Sequence, residues 1–399
     1  MKDKLMLIVP MLHQGGFERV CVTTARLLEP YYDITIVIFD SADIDYDVDG
    51  LKIIDIRMGV QNGILRKLFT MIRRSIKLRT IKRQLQPKAA YSFGLTANLV
   101  NSLSKTKGTK VWLGLRSYGD IEETSKMRLF VKKADLIICC SKVIEEKLRV
   151  QFHTTKTTTL YNPFDVDNMK ETALQKKPDF PWDSSQVRCL ISMGREDDVK
   201  GFWHMLKAFC EVHKQLPDTR LAILGAGDFS NYKKLAEELG ISEQVYFAGL
   251  QKEPYCFLRE SDVYLLTSSI EGFPNALVEG MAMGLPAVST DCLTGPGEIL
   301  MKNCTGRVFN ESTDTNEMQF DREQIVWGDF GVLVPVMNGE KDLSTTIMPE
   351  EINMAQAVIT LLMDERKLQQ YQKAAQERAK IFSYDSYIQR FQELMHESK

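Results

Sequence analysis

The stretch Asp262-Val-Tyr-Leu-Leu-Thr267-Ser-Ser-Ile-Glu271-Gly-Phe-Pro274-Asn-Ala-Leu-Val-Glu279 reads as a strand, a loop and a helix in immediate succession. Residues 262–267 are an apolar run of strand length, and the serines and glycine that follow form a turn. Proline is favoured in the first turn of a helix, where its missing N–H has no partner to lose. The spacing therefore predicts a helix beginning near Pro274. The amides of Asn275, Ala276 and Leu277 are then the unpaired donors of its first turn, and with the helix dipole they suit an anion. Glu271 lies in the loop and Glu279 more than a turn inside the helix. A diphosphate at the helix start would lie between them. One carboxylate can accept hydrogen bonds from a sugar and the other from ribose hydroxyls, since carboxylates are strong acceptors for diols.

The same alternation continues on both sides. Around this stretch, strands are predicted at residues 189–193, 221–224, 245–248 and 287–290, with helices at 202–215, 231–239 and 274–283. The first half repeats the scheme. Its strands fall at 5–11, 34–39, 52–56, 89–93, 110–115 and 136–140, and its helices at 17–28 and 64–85. Short apolar runs alternating with helices give a parallel sheet, so the fold class is α/β with two Rossmann-like doubly wound halves. Breaker residues crowd Tyr161-Asn-Pro-Phe-Asp and Lys176-Lys-Pro-Asp-Phe-Pro-Trp-Asp. The expected division is residues 1–165, a linker at 166–186, a second domain at 187–380, and a terminal helix at 381–399 packing back on the first domain. Residues 301–330 read as a loop or small hairpin, and residues 352–395 as helical throughout. Two such halves imply a cleft, with ligands outside the carboxyl ends of the strands.

Three further motifs follow strands directly. Gly15-Gly16-Phe17-Glu18 allows close backbone approach at a helix start, though it also fits a plain tight turn. Gly194-Arg195-Glu-Asp-Asp-Val-Lys200-Gly201 places two cations where phosphates would bind, or on a solvated surface. Gly225-Ala-Gly227-Asp228 can shape a nucleotide pocket or serve as an ordinary turn.

The 399 residues suffice for two cores. With 44% hydrophobic and 26% charged residues and a net charge of −2, no global polycation points to nucleic acid. No apolar run reaches the roughly 20 residues of a membrane-spanning helix. The start, Met1-Lys-Asp-Lys-Leu, shows no secretory pattern. The eight cysteines show no C-x-x-C and read as buried thiols, so the expected setting is cytoplasmic. Asp43-Ile-Asp45-Tyr-Asp47-Val-Asp49 offers overlapping Asp-x-Asp pairs, but its setting before Gly50 reads as a solvated loop rather than a metal site. Between Arg66 and Lys88 the sequence carries nine basic residues and no acid, interleaved with apolar residues. Such a helix packs on a core with a basic outer face, or lies on an anionic membrane.

Glu271 to Glu279, with Gly280-Met-Ala-Met-Gly-Leu-Pro and Gly295-Pro296-Gly297-Glu298 after it, resembles the donor-site signature of retaining GT-B glycosyltransferases of family 4. The continuation is similar to the branch that builds bacterial capsular and other surface polysaccharides. The resemblance implies two Rossmann-like domains facing across a cleft. It implies metal-independent transfer, without a cofactor, from a nucleotide diphosphate sugar, with a UDP-sugar expected, to a growing, lipid-linked glycan at the inner membrane face. Carried over, Glu271, Arg195 and Lys200 are the catalytic set: Glu271 contacts the transferred sugar while Arg195 and Lys200 bind the diphosphate. Gly15, Gly16, Gly225, Asn275, Ala276, Leu277 and Glu279 line the donor, with Glu279 on the ribose. Many relatives carry a histidine after the strand at 110–115, whereas this chain has Arg116, expected on the acceptor side. A GT-B-fold epimerase or phosphorylase, or a non-catalytic GT-B partner subunit, are the competing readings.

Overall fold

The computed structural model describes residues 2–13, 15–42, 44–59, 63–302, 324–337 and 339–397. The chain forms two units, one of Met1–Pro163 with Tyr384–Lys399 and one of Phe164–Ser383.

The first unit runs β1 (Lys4–Val9), α1 (Gly16–Leu28), β2 (Asp33–Ile38), β3 (Ile53–Asp55), α2 (Ile64–Leu85), β4 (Ala89–Phe93) and α3 (Leu95–Leu103). It continues with β5 (Lys110–Leu115), α4 (Gly119–Glu122), α5 (Thr124–Lys133), β6 (Leu136–Cys139), α6 (Lys142–Phe152) and β7 (Thr157–Thr159). The strands lie in the order β3-β2-β1-β4-β5-β6-β7, all parallel. β1 reads as a continuous apolar run from Leu5 because helices cover both faces of the sheet, and Leu5 through Val9 are buried.

The second unit opens with α7 (Val166–Gln175), then β8 (Arg188–Met193), a 3-10 turn at Asp198–Lys200, α8 (Phe202–Gln215), β9 (Thr219–Leu224) and α9 (Ser230–Glu238). Next come β10 (Val245–Gly249), α10 (Tyr255–Arg259), β11 (Val263–Leu266), α11 (Asn275–Ala282), β12 (Ala287–Thr290) and α12 (Pro296–Leu300). β13 (Val326–Trp327), β14 (Val332–Val334), α13 (Pro349–Met363) and α14 (Glu365–Lys380) complete it. The sheet order is β10-β9-β8-β11-β12-β14-β13, parallel except for β13 against β14. The final helix, α15 (Tyr384–Glu397), belongs to the first unit, where Phe391 packs edge-on against Trp112 with ring centroids 5.5 Å apart.

Both sheets reverse direction next to their first strand. β1 has β2 on one side and β4 on the other, and β8 has β9 and β11. These are the switch points at which doubly wound sheets bind ligands.

Two sequence expectations need correction, and a third falls largely outside the described residues. The stretch 166–186 is not a free linker, because α7 occupies its first half. Asp165 caps that helix by accepting from the Asn168 amide at 3.2 Å, and Val166, Met169 and Ala173 are buried on the second unit. The breakers mark only the extended residues after it. The helical C-terminal stretch is three helices, cut where Asp364 caps α14 through the Lys367 amide and again at 381–383. The expected loop or hairpin at 301–330 lies largely outside the described residues, except that Val326–Trp327 pairs with β14.

Candidate active site

In the second unit, the loop after β8 and the loop after β11 meet. The Lys200 ammonium donates to Glu271 Oε1 at 2.6 Å. Both side chains are mostly buried, with 24% of Lys200 and 10% of Glu271 exposed. The Ser268 hydroxyl donates to the same oxygen at 2.7 Å, and the Thr294 hydroxyl bonds the Glu271 carbonyl. The loops are also stitched through backbone. Ser269 N–H donates to the Val199 carbonyl at 2.9 Å and Thr267 Oγ1 to the Lys200 carbonyl at 2.8 Å. Asp197 accepts from the Val199 amide, which shapes the 3-10 turn carrying Lys200. Gly201 has φ 61°, and an added Cβ would lie 2.6 Å from the Thr267 carbonyl oxygen, so this crossing requires glycine. Sequence reasoning placed Lys200 and Glu271 at two separate strand ends. It missed Ser268 and Thr294, whose only signal is a hydroxyl beside each glycine-rich turn.

α11 begins at Asn275, one residue later than expected, with Pro274 extended at its cap (φ −73°, ψ 93°). Asn275 and Ala276 hold the first-turn positions. The Leu277 amide is not an open donor, because it is spent on the Pro274 carbonyl at 3.1 Å. Glu279 is buried in the helix. Tyr264, also missed in the sequence, is buried on β11 and holds the Met193 backbone N–H at 3.4 Å. Burial pushes its phenol far above the ordinary tyrosine range, against that backbone bond, and the charges of Glu279 and Glu271 push the same way. It therefore sits within electrostatic reach of both glutamates.

Two expected donor residues stand apart. The Arg195 side chain is 75% exposed and pairs with Asp197 at 3.1 Å rather than with Glu271. A Cβ on Gly225 would lie 1.7 Å from the Gly194 carbonyl oxygen, so close strand-end packing already accounts for this glycine.

In the first unit, Gly15 caps α1, and both its N–H and its carbonyl bond the Tyr46 hydroxyl, at 2.9 and 2.7 Å. A Cβ on Gly16 would meet nothing within 4 Å, which leaves open space at this helix start. Glu18 is buried behind it, and desolvation raises its carboxyl above the usual range. Tyr46 thus anchors the Asp-x-Asp loop. Asp45 lies 3.7 Å from His13 and Asp47 3.6 Å from Arg26, while Asp43 lies outside the described residues. Among the described residues no group of three or more His, Cys, Asp or Glu could hold a metal ion. Arg116 follows β5 and is fixed on its own unit. Its guanidinium donates to Asn162 Oδ1 at 2.9 Å and to the Tyr91 hydroxyl, and lies 5.0 Å from the Phe93 ring centroid.

Residues 177–319 match the family model of glycosyl transferases group 1. The chain is 27% identical over 398 residues to an uncharacterised glycosyltransferase of Methanocaldococcus jannaschii, covering 93% of this chain and 94% of that one. It is 24% identical over 397 residues to the N-acetylgalactosamine-N,N'-diacetylbacillosaminyl-diphospho-undecaprenol 4-alpha-N-acetylgalactosaminyltransferase of Campylobacter jejuni, covering 95% and 96%. In fold it is similar to Anabaena HepE in complex with UDP, with a TM-score of 0.73 over 99% of this chain and 100% of that one, at 17% identity.

Proposed function

We propose that the chain is a GT-B glycosyltransferase of group 1 that transfers the sugar of a UDP-sugar, with retention and without a metal, to a lipid-linked surface glycan. The Lys200–Glu271 pair, held at 2.6 Å beside the start of α11, carries this reading. Lys200 would release Glu271 to the arriving sugar and turn to the diphosphate, with Arg195 swinging in from solvent. The positive end of α11 would share the charge of the departing nucleotide. Glu279 would take the ribose, and Gly16 would lie against the donor from the first unit. The acceptor reading rests on the C. jejuni relative, whose name specifies a diphospho-undecaprenol-linked substrate.

The membrane reading rests on α2, where Ile64, Leu65, Leu68, Phe69, Ile72 and Ile76 are exposed. Among the described residues no helix is long and apolar enough to cross a membrane, so contact would be peripheral. The test is transfer of labelled sugar to a polyprenyl-diphosphate-linked acceptor, with the anomer of the product read by NMR. Lys200→Ala and Glu271→Ala should each lower kcat by about 10²–10³. Full activity in both variants overturns the assignment, an inverted anomer overturns retention, and abolition by EDTA overturns metal independence.

A further inference from the structure

The last turns of α2 border a cavity of about 610 Å³ lined by Arg79, Lys82, Arg83, Lys105, Lys107 and Thr109, among others. Five of its lining residues are cations and none is a carboxylate. It lies at the amino ends of β4 and β5, since α2 ends just before β4 and Thr109 just precedes β5. Gly16 and Arg116 follow the opposite, carboxyl ends of the same sheet.

Some of this charge has structural work. The Arg79 guanidinium donates to the Leu103 carbonyl at 2.9 Å, at the end of α3. Lys105 pairs with Asp135 at 2.8 Å. Lys82 is 1% exposed, and its ammonium is held by Asn101 Oδ1 at 2.5 Å and the Asn101 carbonyl at 3.2 Å, both uncharged. Arg83 and Lys107 make no ion pair among the described residues. The carboxyl end of the α2 dipole opposes an anion by only about half a charge. The cations outweigh it.

The cavity is continuous with the exposed face of α2. Leu65, Phe69, Ile72, Ile76, Arg79 and Arg83 follow one another at steps of three and four, so they form one stripe. Its first four positions are apolar and its last two are arginine. An apolar stripe that ends in arginines beside a cation-lined cavity matches the boundary of a bilayer, where acyl chains give way to headgroup phosphates.

We propose that this cavity is a phosphate-binding site, separate from the donor site, that takes the headgroup phosphate of an anionic lipid when α2 lies on the membrane. The proposal rests on the membrane reading of α2 given above. Two arginines favour phosphate through their paired N–H donors. The bound anion would also add counter-charge beside buried Lys82, whose ammonium is held by the uncharged oxygens of Asn101.

The experiment is flotation of the full chain with phosphatidylcholine vesicles, with and without phosphatidylglycerol, alongside calorimetric titration of inorganic pyrophosphate in saturating UDP to occupy the donor site. Arg83→Glu and Lys107→Glu, both at exposed positions, test the cavity, and a thermal melt checks folding. Leu65→Ser with Phe69→Ser tests the apolar stripe. The expected result is pyrophosphate binding by the wild type, flotation only with phosphatidylglycerol, and loss of both by about tenfold or more in the charge variants. The stripe variant should keep pyrophosphate binding and lose flotation. Flotation unchanged in the charge variants overturns the cavity's role and leaves the membrane reading standing. Pyrophosphate binding without flotation keeps the phosphate site and overturns its lipid source. Neither binding nor flotation by the wild type overturns both.

Discussion

At Gly225 the backbone approaches Gly194 so closely that a Cβ would lie 1.7 Å from the neighbouring carbonyl oxygen. Gly225→Ala should therefore force the two loops apart and destabilise the second unit by about 1–3 kcal/mol, read as a lower denaturation midpoint with an unchanged slope. A fully stable variant would return this glycine to the donor. Lys82 makes a second residue-scale prediction. Burial, and Arg79 next to it, pull its ammonium down to about 7. The unfolded chain holds that proton up to the ordinary lysine range near ~10.4. Above about pH 7 the unfolded state therefore binds more protons, and stability rises with pH through this interval. In ligand-free protein, wild type should gain stability relative to Lys82→Met between about pH 7 and 9 by thermal melts; a constant difference would contradict it. Neither effect is written in the sequence. A glycine between strand and helix looks the same whether it faces a ligand or a carbonyl, and a lysine at one helix position looks solvated until α3 covers it.

Elements decide the next level. α13 and α8 pack through a buried ionic cluster. His204 Nδ1 and Lys207 Nζ lie 2.7 and 3.8 Å from Glu351 Oε1, and Lys207 also reaches Asp342 at 2.7 Å. Glu351 additionally accepts from the Met348 amide at 2.6 Å, which caps α13. Glu351→Ala leaves a buried lysine short of a partner and should cost about 3–5 kcal/mol by denaturant titration. A loss below 1 kcal/mol would show the cluster to be dispensable. The helix of the sequence reading at 64–85 is α2 residue for residue, because the basic and apolar periodicity persists to its end. Its solvent-exposed apolar side was not legible, since six apolar residues at helical spacing serve a core equally well. Similarly, α7 was hidden by the prolines and aspartates around it. The capping Asp165 was visible as a turn residue, and only the packing of Val166, Met169 and Ala173 makes it a helix start.

Over the whole molecule, the chain passes from the first unit to the second near residue 163 and returns near 383. The two passages are hydrogen-bonded to each other, Phe164 N–H to the Phe382 carbonyl at 2.9 Å. α15 then completes the first unit's core with Tyr387, Phe391, Leu394 and Met395. Burying four such side chains contributes roughly 6–12 kcal/mol, comparable with the whole stability of a domain. A chain ended at Ser383 should therefore bind an apolar dye and lose the first unit's cooperative melt. A truncated chain that melts like the full one would show α15 to be an appendage. The sequence by itself determined the alternation of strand and helix, the two doubly wound halves and the positions of Lys200, Glu271 and Glu279, because hydrophobic periodicity and turn chemistry are local. Only the tertiary structure decided that Lys200 meets Glu271, that Arg195 stays in solvent, that Gly225 is needed for packing and that Arg116 is locked by Tyr91 and Asn162. Those outcomes depend on residues brought together from distant strands, and no local pattern encodes which loops will touch.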